Sequence, residues 1–288
     1  MKEHIELMES LTMESLTPEE KAVVEAHMNQ LLASDSTGVL HYAADTQRKI
    51  ATAADQLQES IKAIQTPEIS RNLAELSRYM NVLGFGKTGF FDKILSPKVR
   101  LSRLKRKMEH YRGSINQTIH EVDKNRIQLM KNLAAFQYLY EDNQQFLHEI
   151  SLYIIAVEEL IFQFQNNKKE IAGMLIFNKI EHRLHDLKLT HTVAMQMSAQ
   201  IKLIQENEQL LAEKIQSSLL NMIPLWQMQL TQQVTLAQQQ AAKQIDKTAY
   251  SEDNNLWEMG QQIAHAVAII IDLSLDNQKM EKALLESQ

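Results

Sequence analysis

The stretch Ile115–Ile150, INQTIHEVDKNRIQLMKNLAAFQYLYEDNQQFLHEI, decides the fold. Ile115, Ile119, Val122, Ile127, Leu129, Leu133, Phe136, Leu139, Phe146, Leu147 and Ile150 recur in it mostly at three- and four-residue steps. That is the period of one helix face, whereas a half-buried strand alternates every second residue. Working outward, the chain holds few helix breakers between Pro97 and Pro224. A helix from Arg100 to about Gln165, rising ~1.5 Å per residue, would be on the order of 100 Å long. One globular core cannot cover that length, so the helix must pair lengthwise with another. The polar run Gln165-Asn166-Asn167-Lys168-Lys169 is the expected hairpin turn. The return helix carries Met197, Ile201, Ile204, Leu211, Ile215 and Met222 as an a/d seam, with Glu208 and Ser218 filling two seam positions.

Composition agrees. With 7 Gly and 4 Pro in 288 residues, the chain lacks the turn formers that a sandwich, a propeller or a doubly wound sheet needs every ten residues or so. Aromatics are 6%, so the core is aliphatic, with 14 Met as flexible filler. The expected fold class is all-α: an elongated bundle of long antiparallel helices with coiled-coil-like packing and a small helical N-terminal region.

Before the long helices, Thr17-Pro18-Glu19-Glu20 reads as a helix start, with Thr as cap, Pro in the first turn and Glu20 closing a capping box. That helix is expected to run to about Leu32. A second is expected from about Gly38 to Ile64, and a third from Thr66-Pro67-Glu68 through Met80 to Gly84. The domain reading is a helical N-terminal region at 1–83, a glycine-dense linker at 84–97, a long hairpin kinked at Pro224 over 98–249, and a C-terminal helix at 250–288. Met1–Met13 reads as a frayed arm.

The totals exclude several function classes. Net charge is −6, which argues against a general nucleic-acid binder, since those present basic surfaces. No cysteine is present, which removes disulfides, thiolate metal sites and cysteine nucleophiles. The opening MKEHIELMES has no apolar core and reads as no secretory leader. The apolar stretches Leu147–Phe162 and His265–Leu275 are too short or too interrupted to span a bilayer. A cytoplasmic protein is expected.

Two segments carry a family resemblance. Val193-Ala194 is followed by Gln196, then by Gln200-Ile201-Lys202-Leu203-Ile204-Gln205-Glu206-Asn207. Further on stand Ile223-Pro224-Leu225-Trp226-Gln227-Met228-Gln229 and the Ala-Gln-Gln-Gln-Ala run at 237–241. The order Q-I-x-x-I-Q-x-N, then I-P-x-W-x-x-Q, resembles the TelA-like toxic-anion (tellurite) resistance proteins over about residues 85–245. The resemblance implies a cytoplasmic, all-helical bacterial protein tied to survival of tellurite or envelope stress. It implies no reaction, no catalytic residues and no cofactor. In this reading Gln196, Gln200, Ile201, Ile204, Gln205, Asn207, Pro224 and Trp226 have structural or interaction roles.

Other constellations weigh less. Gly84-Phe85-Gly86-Lys87-Thr88 ends like a phosphate loop, but Asn81 stands where its first glycine belongs and a helix precedes it; an interhelical linker is the plainer reading. His182, His185 and His191 share a helix with Glu181 and Asp186, without the H-E-x-x-H order of zinc hydrolases. They read as surface or interface histidines, and no metal is expected. Pro224 removes a helical hydrogen bond, so Pro224-Leu225-Trp226 reads as a bend anchored by the indole. Gln200, Gln205 and Asn207 read as seam amides that fix register.

Lys98, Arg100, Arg103, Lys105, Arg106 and Lys107 make one basic stretch in an acidic chain. Positive charge opposes the dipole at a helix N-terminus, which raises a functional reading above that of a solvated face. These residues are candidate contacts for anionic lipid or a partner. The resulting expectation is a non-enzymatic stress-response scaffold with unknown protein partners, peripheral to the inner membrane surface and free of nucleic acid. The alternatives are direct binding of the oxyanion and a chromosome-associated coiled coil.

Overall fold

A computed structural model describes residues 12–64, 66–85, 96–166, 174–243 and 250–286, and all regular elements among these are helical. The helices are α1 (Pro18–Ala33), α2 (Ser36–His41), α3 (Ala44–Lys62), α4 (Thr66–Met80), α5 (Pro97–Asn166), α6 (Met174–Ser217), α7 (Ile223–Lys243) and α8 (Tyr250–Glu286). Two π-helical turns, Asn81–Phe85 and Ser218–Met222, follow α4 and α6. The frayed arm up to Leu11, most of the 84–97 linker and the expected hairpin turn beyond Asn166 lie outside the described residues.

The expected capping box is present. The Glu20 amide donates to Thr17 Oγ1 at 3.2 Å, and the Thr17 amide donates to Glu20 Oε2 at 2.8 Å. These bonds hold the Glu20 carboxyl below its ordinary range, with His148 adding to the effect. One expectation fails in detail: the single helix from Gly38 to Ile64 is two helices, broken at Tyr42-Ala43. Ala43 has φ 58, a conformation that disfavours a residue with a Cβ. The break persists because the Tyr42 carbonyl accepts from the Arg183 guanidinium, while the Ala43 carbonyl starts α3 by accepting from the Gln47 amide at 3.1 Å.

The chain forms two compact units, one from residues 1–62 and 135–203, the other from 63–134 and 204–288. The sequence pattern sets 1–83 apart as a region of its own; by contact, that stretch divides after Lys62. A helix whose apolar face runs its whole length packs wherever a complementary face meets it, so a turn in the sequence need not mark a boundary.

In unit 1, Leu147, Ile150, Val157 and Leu160 of α5 are buried with Ile180, Leu187 and Ala194 of α6, and Leu31, Val39, Tyr42 and Ile50 complete the cluster. The two long helices run antiparallel here. Lys188 Nζ meets Glu158 at 2.6 Å, while Asn143, earlier on α5, reaches Ala194, later on α6. A second cluster joins Leu16, Val24 and Met28 to Leu152, Ile155 and Ala156.

In unit 2, Ile69 and Leu73 of α4 pack with Val122 and Leu129 of α5, Leu211 and Ile215 of α6, and Ile270 of α8. α4 also lies antiparallel to α8, with the Ser70 and Ser274 hydroxyls bonded at 2.7 Å. The predicted seam is buried at Met197, Ile201, Ile204, Leu211 and Ile215, and at Glu208 and Ser218, while Met222 at its end is half-buried. Burying each such aliphatic side chain contributes about 1.5–3 kcal/mol.

Pro224 does not end the helical path. The turn before it widens to π geometry and α7 continues from Ile223. A proline ring crowds the carbonyl four residues back, here that of Leu220 within the π turn, and a wider turn relieves the crowding. Among the described residues no helix is long and apolar enough to cross a membrane.

Candidate functional site

The first turns of α5 have two faces. Leu101, Leu104 and Met108 are half-buried, and Met108 and Tyr111 pack against the unit 2 cluster of Leu76, Tyr79, Ile115 and Trp226. The Tyr79 and Tyr111 rings sit 5.5 Å apart. With that stripe turned inward, Lys98, Arg103, Lys105, Arg106 and Lys107 are all exposed. The Arg100 side chain lies outside the described residues. No acid interrupts residues 98–107, and the described cations of these turns are exposed beside the half-buried Leu101, Leu104 and Met108.

The motif residues on α6 and α7 separate by burial. Ile201, Ile204 and Trp226 are buried, Gln196 and Pro224 are exposed, and Gln200, Gln205 and Asn207 are half-buried. The expectation that these three amides sit in the seam is therefore not met in full. The Asn207 carbonyl accepts from Asn277 Nδ2 at 3.2 Å, and its own amide nitrogen meets Met280 Sδ at 2.9 Å.

Two buried polar side chains in unit 1 serve the purpose assigned to those amides. Asn143 is fully buried and donates from Nδ2 to the Ala194 carbonyl at 2.8 Å and to Ser198 Oγ at 2.7 Å. Arg183 is 8% exposed. It donates to the Tyr42 carbonyl from Nε at 2.8 Å and also from Nη2, and to Gln47 Oε1 at 2.6 Å. Burial pulls its pKa down, which Asp186 offsets. Both lie at seam spacing, Asn143 between Leu139 and Leu147 and Arg183 between Ile180 and Leu187. Polar residues at apolar positions were the available signal.

The remaining candidates do not converge. His182 and His185 are exposed, and His191 is half-buried with its pKa pushed down by burial. Among the described residues no three His, Cys, Asp or Glu side chains stand close enough to hold a metal ion. Gly86, Lys87 and Thr88 lie outside the described residues. A groove of about 650 Å³ in unit 1 is lined by Asp45, Arg48, Lys49, Asp142, Phe146, Glu149 and Tyr153, among others. Its cations are already engaged: Arg48 pairs with Asp45 at 2.7 Å and Lys49 with Glu149 at 3.2 Å. Glu149 also accepts from Thr46 Oγ1 at 2.6 Å. With three acids to two cations, the groove offers a free anion little.

The sequence model of the toxic anion resistance proteins (TelA) matches residues 24–258. The chain belongs to the TelA family. The match reaches well upstream of residue 85, so it takes in part of α1 and all of α2 to α4 as well as the motif helices. Among curated proteins, a TelA-like protein of Staphylococcus aureus strain bovine RF122 / ET3-1 is 27% identical over 267 residues, covering 84% of this chain and 71% of the relative. TelA-like proteins of Staphylococcus aureus strains USA300 and NCTC 8325 / PS 47 are 26% identical over the same shares. No solved structure matches the chain. Membership of the TelA family links the chain to resistance against toxic anions.

Proposed function

We propose that this TelA-family chain acts without catalysis, as a helical scaffold in resistance to tellurite and other toxic anions, docking on an anionic membrane through the first turns of α5. The observation that supports this reading is the exposed array of Lys98, Lys105, Arg106 and Lys107 in a chain whose net charge is −6. Each cation near an anionic membrane surface contributes about 1 kcal/mol. Four of them give on the order of 4 kcal/mol before screening, which makes the contact reversible and dependent on salt. As a scaffold the protein works through protein partners gathered at that surface.

Flotation with vesicles of phosphatidylglycerol and phosphatidylcholine tests the docking step. The wild type should co-float at low salt, and the Lys105/Arg106/Lys107→Glu variant should not. Equal behaviour of the two proteins would remove the membrane from the account. Calorimetric titration with tellurite separates the alternative, since direct oxyanion binding would release or absorb heat at millimolar ligand.

A further inference from the structure

Unit 2 places an acid where the α6 seam takes aliphatic residues. Glu208 lies between Ile204 and Leu211 on the buried face and is 1% exposed. Neither of its carboxyl oxygens has a hydrogen-bond donor. α8 crosses at this level, where Asn277 donates to the Asn207 carbonyl and Met280 meets the Asn207 amide. One turn beyond Asn277 stands a second buried acid, Glu281, 7% exposed. α4 and α5 turn aliphatic side chains inward here, Ile69 and Leu73 from one and Val122 and Leu129 from the other.

The charged groups on those neighbouring helices do not compensate Glu208. Glu75 of α4 accepts from the Tyr79 hydroxyl at 2.6 Å, and Arg126 of α5 pairs with Asp123 at 2.9 Å. Arg71 and Lys131 are exposed. The charge that acts on Glu208 is that of Glu281, of the same sign. An ionised carboxylate enclosed without a partner is strongly disfavoured, whereas the neutral acid can be enclosed. Burial, with the Glu281 charge second, pushes the Glu208 carboxyl up to about 8.

We propose that α8 is latched against α6 by Glu208 in its protonated form, so that acidic conditions hold this helix and rising pH progressively releases it. Loss of the proton leaves a charge enclosed without a donor beside Glu281, and undocking α8 returns it to water. Two carboxylates with no third acidic or histidine ligand make a poor metal site; among the described residues no larger cluster exists.

Amide hydrogen exchange of the full chain, corrected for the intrinsic effect of pH, reads the latch through protection over residues 270–286. Between pH 6.5 and 9 the wild type should lose about thirtyfold in protection, the ratio expected when a carboxyl at about 8 in the closed state becomes an ordinary one near 4.5 on opening. Glu208→Gln keeps the shape, cannot ionise, and should hold its protection within about threefold over the same range. Glu281→Gln removes the like charge and should lessen the wild-type loss, which keeps the test decisive even if the first variant folds poorly. A flat wild-type profile, or a Glu208→Gln variant that declines as steeply as the wild type, overturns the proposal. Restored protection at pH 9 on adding magnesium or calcium chloride also overturns it, in favour of a cation site.

Discussion

Replacing Arg183 by alanine tests the most demanding local claim of unit 1, that a guanidinium from α6 holds open the break between α2 and α3. Arg183 donates to the Tyr42 carbonyl from two nitrogens and to Gln47 Oε1 at 2.6 Å. Hydrogen bonds from a charged donor contribute about 1.5–3 kcal/mol each, and leaving a buried carbonyl without a donor costs about 1–3 kcal/mol. Relief of the buried guanidinium's desolvation offsets part of that loss. The net expectation for Arg183→Ala is a destabilisation of about 3 kcal/mol. Arg183→Lys keeps the charge without the fork and should recover about 1 kcal/mol of it. The assay is hydrogen exchange on the intact chain, since two units need not unfold together. Amides of Gln47 and Ile50 should lose protection selectively, while those of Leu211 and Ile215 in unit 2 keep theirs. A double-mutant cycle with Gln47→Ala should show coupling of about 1 kcal/mol. A loss below about 0.5 kcal/mol, or equal loss in both units, would refute the reasoning.

Two further outcomes follow from the cores. Trp226→Ala empties a fully buried position between Tyr79, Ile115 and Val267, and should cost about 3–5 kcal/mol, read from the urea midpoint of the unit 2 transition. Asn143→Ala removes donors to Ala194 and Ser198, and should lower unit 1 stability by about 2 kcal/mol, read as faster exchange at Leu147 and Ile150.

The helices were legible because periodicity is a local property. The seam Ile201, Ile204, Leu211 and Ile215 is buried as its spacing predicts, down to the two polar occupants Glu208 and Ser218. The capping box at Thr17 was legible for the same reason, since all its atoms lie within one turn. What escaped the sequence depends on residues far apart in it. The break at Tyr42-Ala43 has no glycine or proline to announce it, and it exists because Arg183, 141 positions away, takes the Tyr42 carbonyl. The division after Lys62 likewise depends on which stretch of α5 and α6 each N-terminal helix meets. For the candidate site, the sequence displayed the cationic run directly, because six charges in ten residues need no partner to be seen. It could not show that Leu101, Leu104 and Met108 are half-buried while Lys98, Arg103, Lys105, Arg106 and Lys107 stay exposed, nor that Met108 packs against the cluster around Trp226. The seam amides were sought among the motif residues at Gln200, Gln205 and Asn207. The fully buried one in unit 1 is Asn143, on the opposite helix.

The most direct test of the account is survival under tellurite of cells whose own copy of this protein is replaced by the Lys105/Arg106/Lys107→Glu variant. These residues are exposed and lie apart from the buried clusters, so the variant should fold and accumulate like the wild type. The account predicts that its resistance falls toward that of cells lacking the protein, together with loss of the membrane-associated fraction. Full resistance with the variant present at normal levels would contradict it.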